Sequence, residues 1–131
     1  MPTNETHGEF SDIVALARAE LQPVCESLRR TIASLHRGFV EVVWPSHRIA
    51  SYGVGPKKMT EHYAYIAVQR SHVNLGFYYG ALLVDPKCLL EGTGAKLRHI
   101  KIAKVSLAER PEVIGLLKQA IKEREQNARD A

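Results

Sequence analysis

The chain has 131 residues, 45% of them hydrophobic and 24% charged, as expected for a single globular domain. It has no run of about 18 apolar residues and no secretory signal at its start, so we expect a cytoplasmic protein with no membrane partner. Ten Lys and Arg against four acids give residues 36–105 a charge that favours anionic partners. None of the usual nucleic-acid-binding motifs is present, so no nucleic-acid partner is predicted.

The chain divides into a short lead, one domain and a short tail. Residues 1–9 do not form a signal sequence and are predicted to be a disordered lead. Residues 10–122 are predicted to form the single domain. Residues 123–131 have no apolar stripe and are predicted to be a solvated helix end or tail.

Two helices are predicted near the N-terminus. Residues 10–21 place apolar side chains at intervals of three and four, and so do residues 23–36. Pro23 suits the first turn of the second helix, and Gly38 suits a cap at its end. Residues 39–44 are rich in β-branched side chains, as in a strand, but their position between Gly38 and Pro45 leads us to favour one or two helical turns.

The middle of the chain alternates as β-strands do. Strands are predicted over residues 49–54, 61–70, 72–79 and 98–105, and the short reversal between the second and third indicates an antiparallel hairpin. A final helix opens at Pro111. The order predicts an α+β fold with a central, largely antiparallel sheet of about four or five strands, flanked by the N-terminal helices and the C-terminal helix. The face that the helices leave open holds Tyr and His residues and is the candidate binding surface.

Three segments are distinctive: residues 44–59 (W-P-S-H-R-I-A-S-Y-G-V-G-P-K-K-M), residues 71–81 (S-H-V-N-L-G-F-Y-Y-G-A) and residues 89–101 (L-L-E-G-T-G-A-K-L-R-H-I-K). With them, the chain from about Ile13 to Ile121 resembles the YdhG-like (YdeI-like) family of small, mostly bacterial domains of unknown function. The resemblance implies an α+β domain with a central antiparallel sheet flanked by helices. It implies no catalytic residues, because the family has no established reaction, and some relatives carry an intracellular iron-chaperone label.

The glycine corner, residues 91–96, contains two glycines only two positions apart. This is not the spacing of a phosphate-binding P-loop. We expect Gly92 or Gly94 to need a positive φ in a tight turn. Alternatively, backbone N–H groups of the corner form an anion-binding nest, to which Lys96 and Arg98 add positive charge.

Three histidines, His62, His72 and His99, lie on predicted strands. They would form a zinc-like site if the strands brought them together. Ligand pairs at short spacing on one element are absent, so ordinary hydrogen-bonded histidines are expected. We therefore predict no metal site and no cofactor.

The sequence also offers no catalytic constellation. Cys25 and Cys88 stand in no metal or redox spacing and are expected to be free, buried thiols. Ser71 and His72 are adjacent on a strand, so their side chains point to opposite faces and do not pair. We therefore do not expect an enzyme.

The leading hypothesis is a non-catalytic module that binds a small ligand, with an anion favoured by the basic middle of the chain. The site is expected between residues 44–55, 72–79 and 91–99. Two alternatives stay open: an intracellular iron or metal chaperone, and a domain that binds a protein partner through a sheet face or edge. The candidate ligand-binding residues are Trp44, Tyr52, His72, Tyr78, Glu91, Gly92, Gly94, Lys96, Arg98 and His99.

Overall fold

The structure, a computed structural model, describes residues 3–4 and 8–128. Within these ranges the chain forms a six-stranded sheet with its strands in sequence order. The strands are β1 (Thr3–Asn4), β2 (Val40–Trp44), β3 (Ile49–Gly53), β4 (His62–Val68), β5 (Val73–Phe77) and β6 (Arg98–Ile102). The short β1 pairs in parallel with β2, and all the other neighbours are antiparallel. The predicted α+β fold with a largely antiparallel sheet is confirmed.

The described part of the chain also contains five α-helices. They are α1 (Phe10–Leu16), α2 (Gln22–Leu35), α3 (Lys58–Glu61), α4 (Val105–Ala108) and α5 (Pro111–Asn127). Helix α1 ends earlier than predicted, because Ala17 leaves the helical conformation with a ψ of 147°. The Gln22 side-chain amide donates a hydrogen bond to the Ala17 carbonyl (3.1 Å) and so stabilises this break.

Residues 40–44 of the segment 39–44 form a strand, and the helical interpretation of this segment is wrong. All five residues of β2 pair with β3, from Val40 opposite Gly53 to Trp44 opposite Ile49. Its β-branched side chains pack well on a pleated surface, and this preference prevails over the neighbouring glycine and proline. A 3-10 turn begins at Pro45 and returns the chain to β3.

The hydrophobic core lies between one face of the sheet and helices α1, α2 and α5. A row of buried side chains crosses four strands, with Ala50, Ile66, Leu75 and Ile100 paired in register. The helices contribute buried apolar residues that include Ile13, Leu28, Ile32, Val113 and Leu117. Burial of each large aliphatic side chain stabilises the fold by about 1.5–3 kcal/mol.

A β-bulge at the start of β4 changes which side chains share a face. Ala64 and His62 pair with consecutive residues of β3, so Tyr63 is the extra residue. Tyr63 turns toward the helices, where its hydroxyl lies 2.9 Å from Nδ1 of His36. His62 turns to the opposite side, next to Ser51. Regular alternation without a bulge would have placed His62 on the same face as Ala64.

The predicted lead and tail lie partly outside the described residues, which exclude 1–2, 5–7 and 129–131. Thr3–Asn4 of the lead pairs with β2. Helix α5 continues to Asn127, and Arg124, within the stretch predicted to be solvated, is buried. Among the described residues, no helix has the length and apolar character needed to cross a membrane.

Candidate functional site

The face of the sheet opposite α1, α2 and α5 (the second face) carries the in-register row Ser51, Tyr65, Gly76 and His99. Beside this row is a cleft of about 570 Å³, a size typical of small-molecule sites. The residues that line this tyrosine cleft are Ile49, Lys58, Met59, Tyr65, Tyr78, Tyr79, Gly94, Ala95, Lys96 and Leu97. They come from the three segments in which the site was expected and, in addition, from helix α3 and strand β4.

The aromatic floor of the cleft depends on a glycine. The rings of Tyr65 and Tyr78 lie 5.3 Å apart, with their planes tilted by 54°. Gly76 pairs with Tyr65 across the sheet, and a Cβ atom added to Gly76 would lie 2.0 Å from the Tyr65 ring. The missing side chain therefore allows the Tyr65 ring to lie flat against the neighbouring strand.

Tyr79 forms a wall that is held from behind by helix α5. Its hydroxyl donates to the Met59 carbonyl (2.7 Å), and the guanidinium of Arg124 lies 3.6 Å from its ring centroid. Arg124 also donates to the Thr60 carbonyl (2.8 Å) and pairs with Glu123. Arg124 thus joins α5 to both Tyr79 and α3. Sequence reasoning missed this residue because nothing distinguishes it within a charged helix end.

Two lysines bring positive charge to the cleft. The Lys58 ammonium lies 5.3 Å from the Trp44 ring centroid, and the Lys96 ammonium lies 5.4 Å from that of Tyr79. Among the described residues, neither lysine forms an ion pair with a carboxylate. The cleft lining contains no acidic residue. The positive potential is therefore uncompensated here, and Trp44 contributes as a neighbour of Lys58 rather than as a lining residue.

The glycine corner is shaped by Arg98. Gly92 has a φ of +127°, so it is the glycine that needs the left-handed region, whereas Gly94 has no positive φ. Nη1 of Arg98 donates to the carbonyls of Gly94 (2.6 Å) and Leu97 (2.7 Å). In the part of the chain described, the N–H groups of Gly94 and Ala95 donate to no other backbone group. Arg98 thus positions the corner and does not itself line the cleft.

Several of the other predicted site residues lie elsewhere. Tyr52 is fully buried on the helix side, where its hydroxyl donates to Oε2 of Glu41 (2.8 Å), so its assignment to the site is wrong. His72 precedes β5, at the opposite end of that strand from Tyr78. Glu91 and His99 exchange backbone hydrogen bonds (2.8 and 2.9 Å) beside the cleft without lining it.

The three histidines considered as metal ligands are separated by the strand register. His62 is at the start of β4, His72 adjoins the other end of the β4–β5 hairpin, and His99 is on β6. Among the described residues, no group of three or more His, Cys, Asp or Glu is placed to hold a metal ion.

The two cysteines differ in exposure. Cys25 is buried as expected, and burial raises the pKa of its thiol to about 11. Cys88 is exposed, so the prediction of its burial is wrong. The Asp85 carboxylate accepts hydrogen bonds from the N–H groups of Leu89 (3.0 Å) and Leu90 (2.8 Å). These bonds close a turn in which both leucines pack against the core and Cys88 adopts a left-handed φ of 53°.

A line of hydrogen-bonded side chains extends from the cleft into the protein. Oγ of Ser51 lies 2.8 Å from the Tyr78 hydroxyl and 2.5 Å from Nδ1 of His62. Burial lowers the pKa of His62 to about 4 and raises that of Tyr78 to about 12, so both groups are neutral at pH 7. Ser51 is fully buried, so a substrate in the cleft has no access to it as a nucleophile. The sequence missed this line because the bulge that brings His62 to Ser51 has no local signal.

Comparison of the chain with protein-family models, curated proteins and solved structures found no match. The resemblance to YdhG-like domains stays a prediction. Ideas about function therefore start from the tyrosine cleft and its charges.

Proposed function

We propose that the tyrosine cleft binds a small anionic ligand with an aromatic or apolar body and does not transform it. The observation that carries the proposal is the pair of ammonium groups, Lys58 and Lys96, which have no carboxylate partner among the described residues and flank an otherwise aromatic and apolar cleft. Ligand sites of this size commonly combine apolar walls with a few polar groups that fix orientation. Ammonium and backbone N–H groups donate hydrogen bonds without offering a lone pair, which favours an anion.

The walls fit a flat ligand body. The rings of Tyr65, Tyr78 and Tyr79 and the side chains of Ile49 and Leu97 line the cleft. Aromatic rings prefer offset-stacked or edge-to-face contacts, and the 54° tilt between the rings of Tyr65 and Tyr78 offers a face and an edge to a planar group. A planar body between these rings would place its anionic group beside the lysines at the rim.

A larger cleft of about 770 Å³ lies beside α1 and α2, but its charges favour a different chemistry. Glu9, Glu26 and Glu41 are among its lining residues, and its one lining cation, Arg29, already pairs with Glu41 at 2.6 Å. Carboxylates there would repel an anion. The tyrosine cleft is therefore the better match to the positive charge of the middle of the chain.

The experiment that tests the proposal compares ligands of one shape and different charge. We expect 2-naphthoate to raise the melting temperature and to change the fluorescence of Trp44, the chain's one tryptophan, because Lys58 lies over its ring. 2-Naphthylmethylammonium, with the same ring system and the opposite charge, should bind more weakly. Equal or tighter binding of the cation would contradict the proposal.

Matched lysine variants locate the site. We expect Lys58→Gln combined with Lys96→Gln to weaken 2-naphthoate binding by about tenfold, since both charges are exposed and each contributes modestly. Lys118→Gln on α5 removes an exposed charge outside the cleft and should leave the affinity unchanged. If Lys118→Gln weakens binding as much as the double variant does, the anion responds to net charge rather than to this cleft.

A further inference from the structure

Helix α3 gives the tyrosine cleft one of its two cations, but its own residues do little to hold it in place. Lys58 and Met59 of α3 line the cleft, and Met59 is 78% exposed. All four residues of α3 are partly or fully exposed, so their burial contributes little stability. A single helical turn is also unstable in water on its own, because helix nucleation is unfavourable. The position of α3 therefore depends on its contacts with the rest of the domain.

The carbonyl groups of α3 make these contacts. The last carbonyls of a helix have no partner within the helix and need one from elsewhere. The Met59 carbonyl accepts from the Tyr79 hydroxyl (2.7 Å), and the Thr60 carbonyl accepts from Nη1 of Arg124 (2.8 Å). The next carbonyl, that of Glu61, accepts from a backbone N–H (2.9 Å). Two side chains from distant parts of the sequence therefore hold the turn from outside.

Arg124 is itself fixed on α5. It is only 5% exposed, and its guanidinium donates two hydrogen bonds to the Glu123 carboxylate (2.6 and 2.5 Å). The guanidinium also lies 3.6 Å from the centroid of the Tyr79 ring, a contact in which the cation is attracted to the ring face. Helix α5 is in turn anchored in the core by Leu117 and Ile121. Arg124 thus links the core to α3 and touches the other side chain that holds this turn.

The same turn carries Lys58, whose ammonium lies 5.3 Å from the centroid of the Trp44 ring. We propose that Arg124 is a positioning residue of the tyrosine cleft: with Tyr79 it fixes α3 and thereby holds Lys58 where it meets the anionic group of a ligand. This inference rests on the proposed function and deepens it. Arg124 does not line the cleft, so it acts on the ligand through α3 and not by contact.

The first measurement needs no ligand. Trp44 is the chain's one tryptophan, so quenching of its fluorescence by iodide, an anion, reports the positive charge beside its ring, and quenching by neutral acrylamide reports its exposure. At constant ionic strength, Lys58→Gln should lower the ratio of the iodide to the acrylamide quenching constant. We expect Arg124→Met to lower this ratio to the same extent, because a released α3 no longer holds Lys58 beside Trp44. An unchanged ratio in Arg124→Met would overturn the inference.

The matched control is Arg110→Met, which removes the same charge at the start of α5. Arg110 pairs with Glu112 (3.2 Å), and none of its side-chain hydrogen bonds or ion pairs among the described residues reaches α3. This control should keep the wild-type ratio. In the Lys58→Gln background, Arg124→Met should lower the ratio no further. A further fall would mean that the Arg124 charge itself attracts iodide, and it would contradict the link through Lys58.

A second variant keeps the test decisive if Arg124→Met does not fold, as circular dichroism would show. Tyr79→Phe removes the hydrogen bond to the Met59 carbonyl and leaves no buried charge unpaired. We expect it to lower the quenching ratio toward that of Lys58→Gln. The wild-type ratio in Tyr79→Phe would contradict the proposed hold on α3.

The second measurement uses 2-naphthoate as the probe. We expect Arg124→Met to weaken its binding by about threefold, the share of one exposed lysine in the effect of the double lysine variant. In the Lys58→Gln background the same substitution should weaken binding by less than about 1.5-fold, because two residues that act through one contact are not additive. Arg110→Met should leave the affinity unchanged. Equal weakening by Arg124→Met in both backgrounds would show that Arg124 does not act through Lys58.

The outcomes separate this inference from the proposed function. If Arg124→Met binds 2-naphthoate as tightly as the wild type while the double lysine variant binds it weakly, the cleft holds anions and the role given to Arg124 is wrong. If the wild type does not bind 2-naphthoate at all, the proposed function falls. The iodide measurement then still decides whether Arg124 fixes α3 and Lys58.

Discussion

Two buried polar clusters, one on each face of the sheet, show how similar side chains serve different purposes. On the helix side, Glu41 accepts hydrogen bonds from Arg29 (2.6 and 3.0 Å) and from the Tyr52 hydroxyl (2.8 Å). On the second face, Ser51 joins His62 and Tyr78. Each cluster contains one tyrosine hydroxyl. The first cluster is charged and sealed in the sense that its polar groups pair with one another, although Arg29 and Glu41 also line the cleft beside α1 and α2. The second is neutral and opens into the tyrosine cleft.

The difference lies in how the polar groups of each cluster are placed relative to a cleft. Both oxygens of Glu41 have partners and Tyr52 is fully buried, so the hydrogen bonds of this cluster are made within it, although Arg29 and Glu41 also line the cleft beside α1 and α2. In the Ser51 cluster, Tyr78 is partly exposed and lines the tyrosine cleft. A saturated, buried network stabilises one arrangement of the core. A neutral network that reaches a cleft instead places a polar group beside the position of a ligand.

The largest effect is expected from breaking the sealed cluster. Arg29→Met leaves the Glu41 carboxylate, which is only 3% exposed, without its positive partner, and we expect a loss of about 3–5 kcal/mol of unfolding free energy in urea titrations. The control is Arg18→Met, whose pair with Glu20 is more than 60% exposed on both sides, and there we expect a change of at most about 1 kcal/mol. A loss below about 1 kcal/mol for Arg29→Met would show that the ion pair is not needed for the fold.

The next largest effect is expected from low pH, which should lower the free energy of unfolding through His62 of the Ser51 cluster. Burial lowers the pKa of His62 from 6.5 to about 4. Between these pH values the His62 imidazole is protonated in the unfolded chain and neutral in the folded protein. Stability is therefore unaffected above pH 6.5 and falls as the pH drops toward 4, by up to about 3 kcal/mol. Urea titrations at pH 7, 5.5 and 4 should show this fall in the wild type and a smaller one in His62→Gln. The pKa of His36 is also lowered, but this histidine is common to both proteins, so its contribution cancels. Equal pH dependence of the two proteins would be evidence against the buried, neutral His62.

The third test concerns the glycine corner that borders the cleft on the second face. Gly92→Ala places a side chain at a φ of +127° and a Cβ atom 3.2 Å from the Leu97 carbonyl oxygen, so we expect a loss of about 1–3 kcal/mol. The control Gly94→Ala meets nothing within 4 Å and has no positive φ, and it should cost less than about 0.5 kcal/mol. Thermal denaturation of the pair is sufficient. The reverse order of stabilities would show that Gly94, as the sequence equally allowed, is the strained position.

The elements that could be predicted from the sequence are those marked by a pattern of apolar residues within the element itself. The three- and four-residue spacing in α2 and the alternation in β5 and β6 depend on burial of one face, and the structure has these elements close to where they were expected. The segment of β2 was misjudged because its flanking Gly38 and Pro45 allow a helix as well as a strand. Pairing with β3 decides between helix and strand, and the residues of the segment alone do not predict this pairing.

The candidate site was predicted in outline, and its errors have one cause. Tyr78, Gly94 and Lys96 line the cleft as expected, because the hairpin and the glycine corner could be recognised locally. Tyr52 was misplaced because strand alternation alone does not tell which face the helices cover. Arg124 was missed because its partners, Tyr79 and Thr60, are distant in the sequence. Each error reflects a contact set by register and packing rather than by local spacing.

The smallest change in unfolding free energy is expected when the hydroxyl of Tyr52 is removed from the sealed cluster. This variant also gives the most direct comparison of the two clusters. Tyr52→Phe removes one of the hydrogen bonds that Glu41 accepts while the ion pair with Arg29 remains, so we expect a loss of about 1–2 kcal/mol in urea titrations. Binding of 2-naphthoate should be unchanged, because Tyr52 lies on the far side of the sheet from the cleft. The double variant Lys58→Gln with Lys96→Gln should show the opposite pattern, with weaker binding and a smaller change in stability. If Tyr52→Phe lowers the affinity as much as the lysine variant does, the two faces of the sheet are coupled, and the division into a sealed cluster and an open one is wrong.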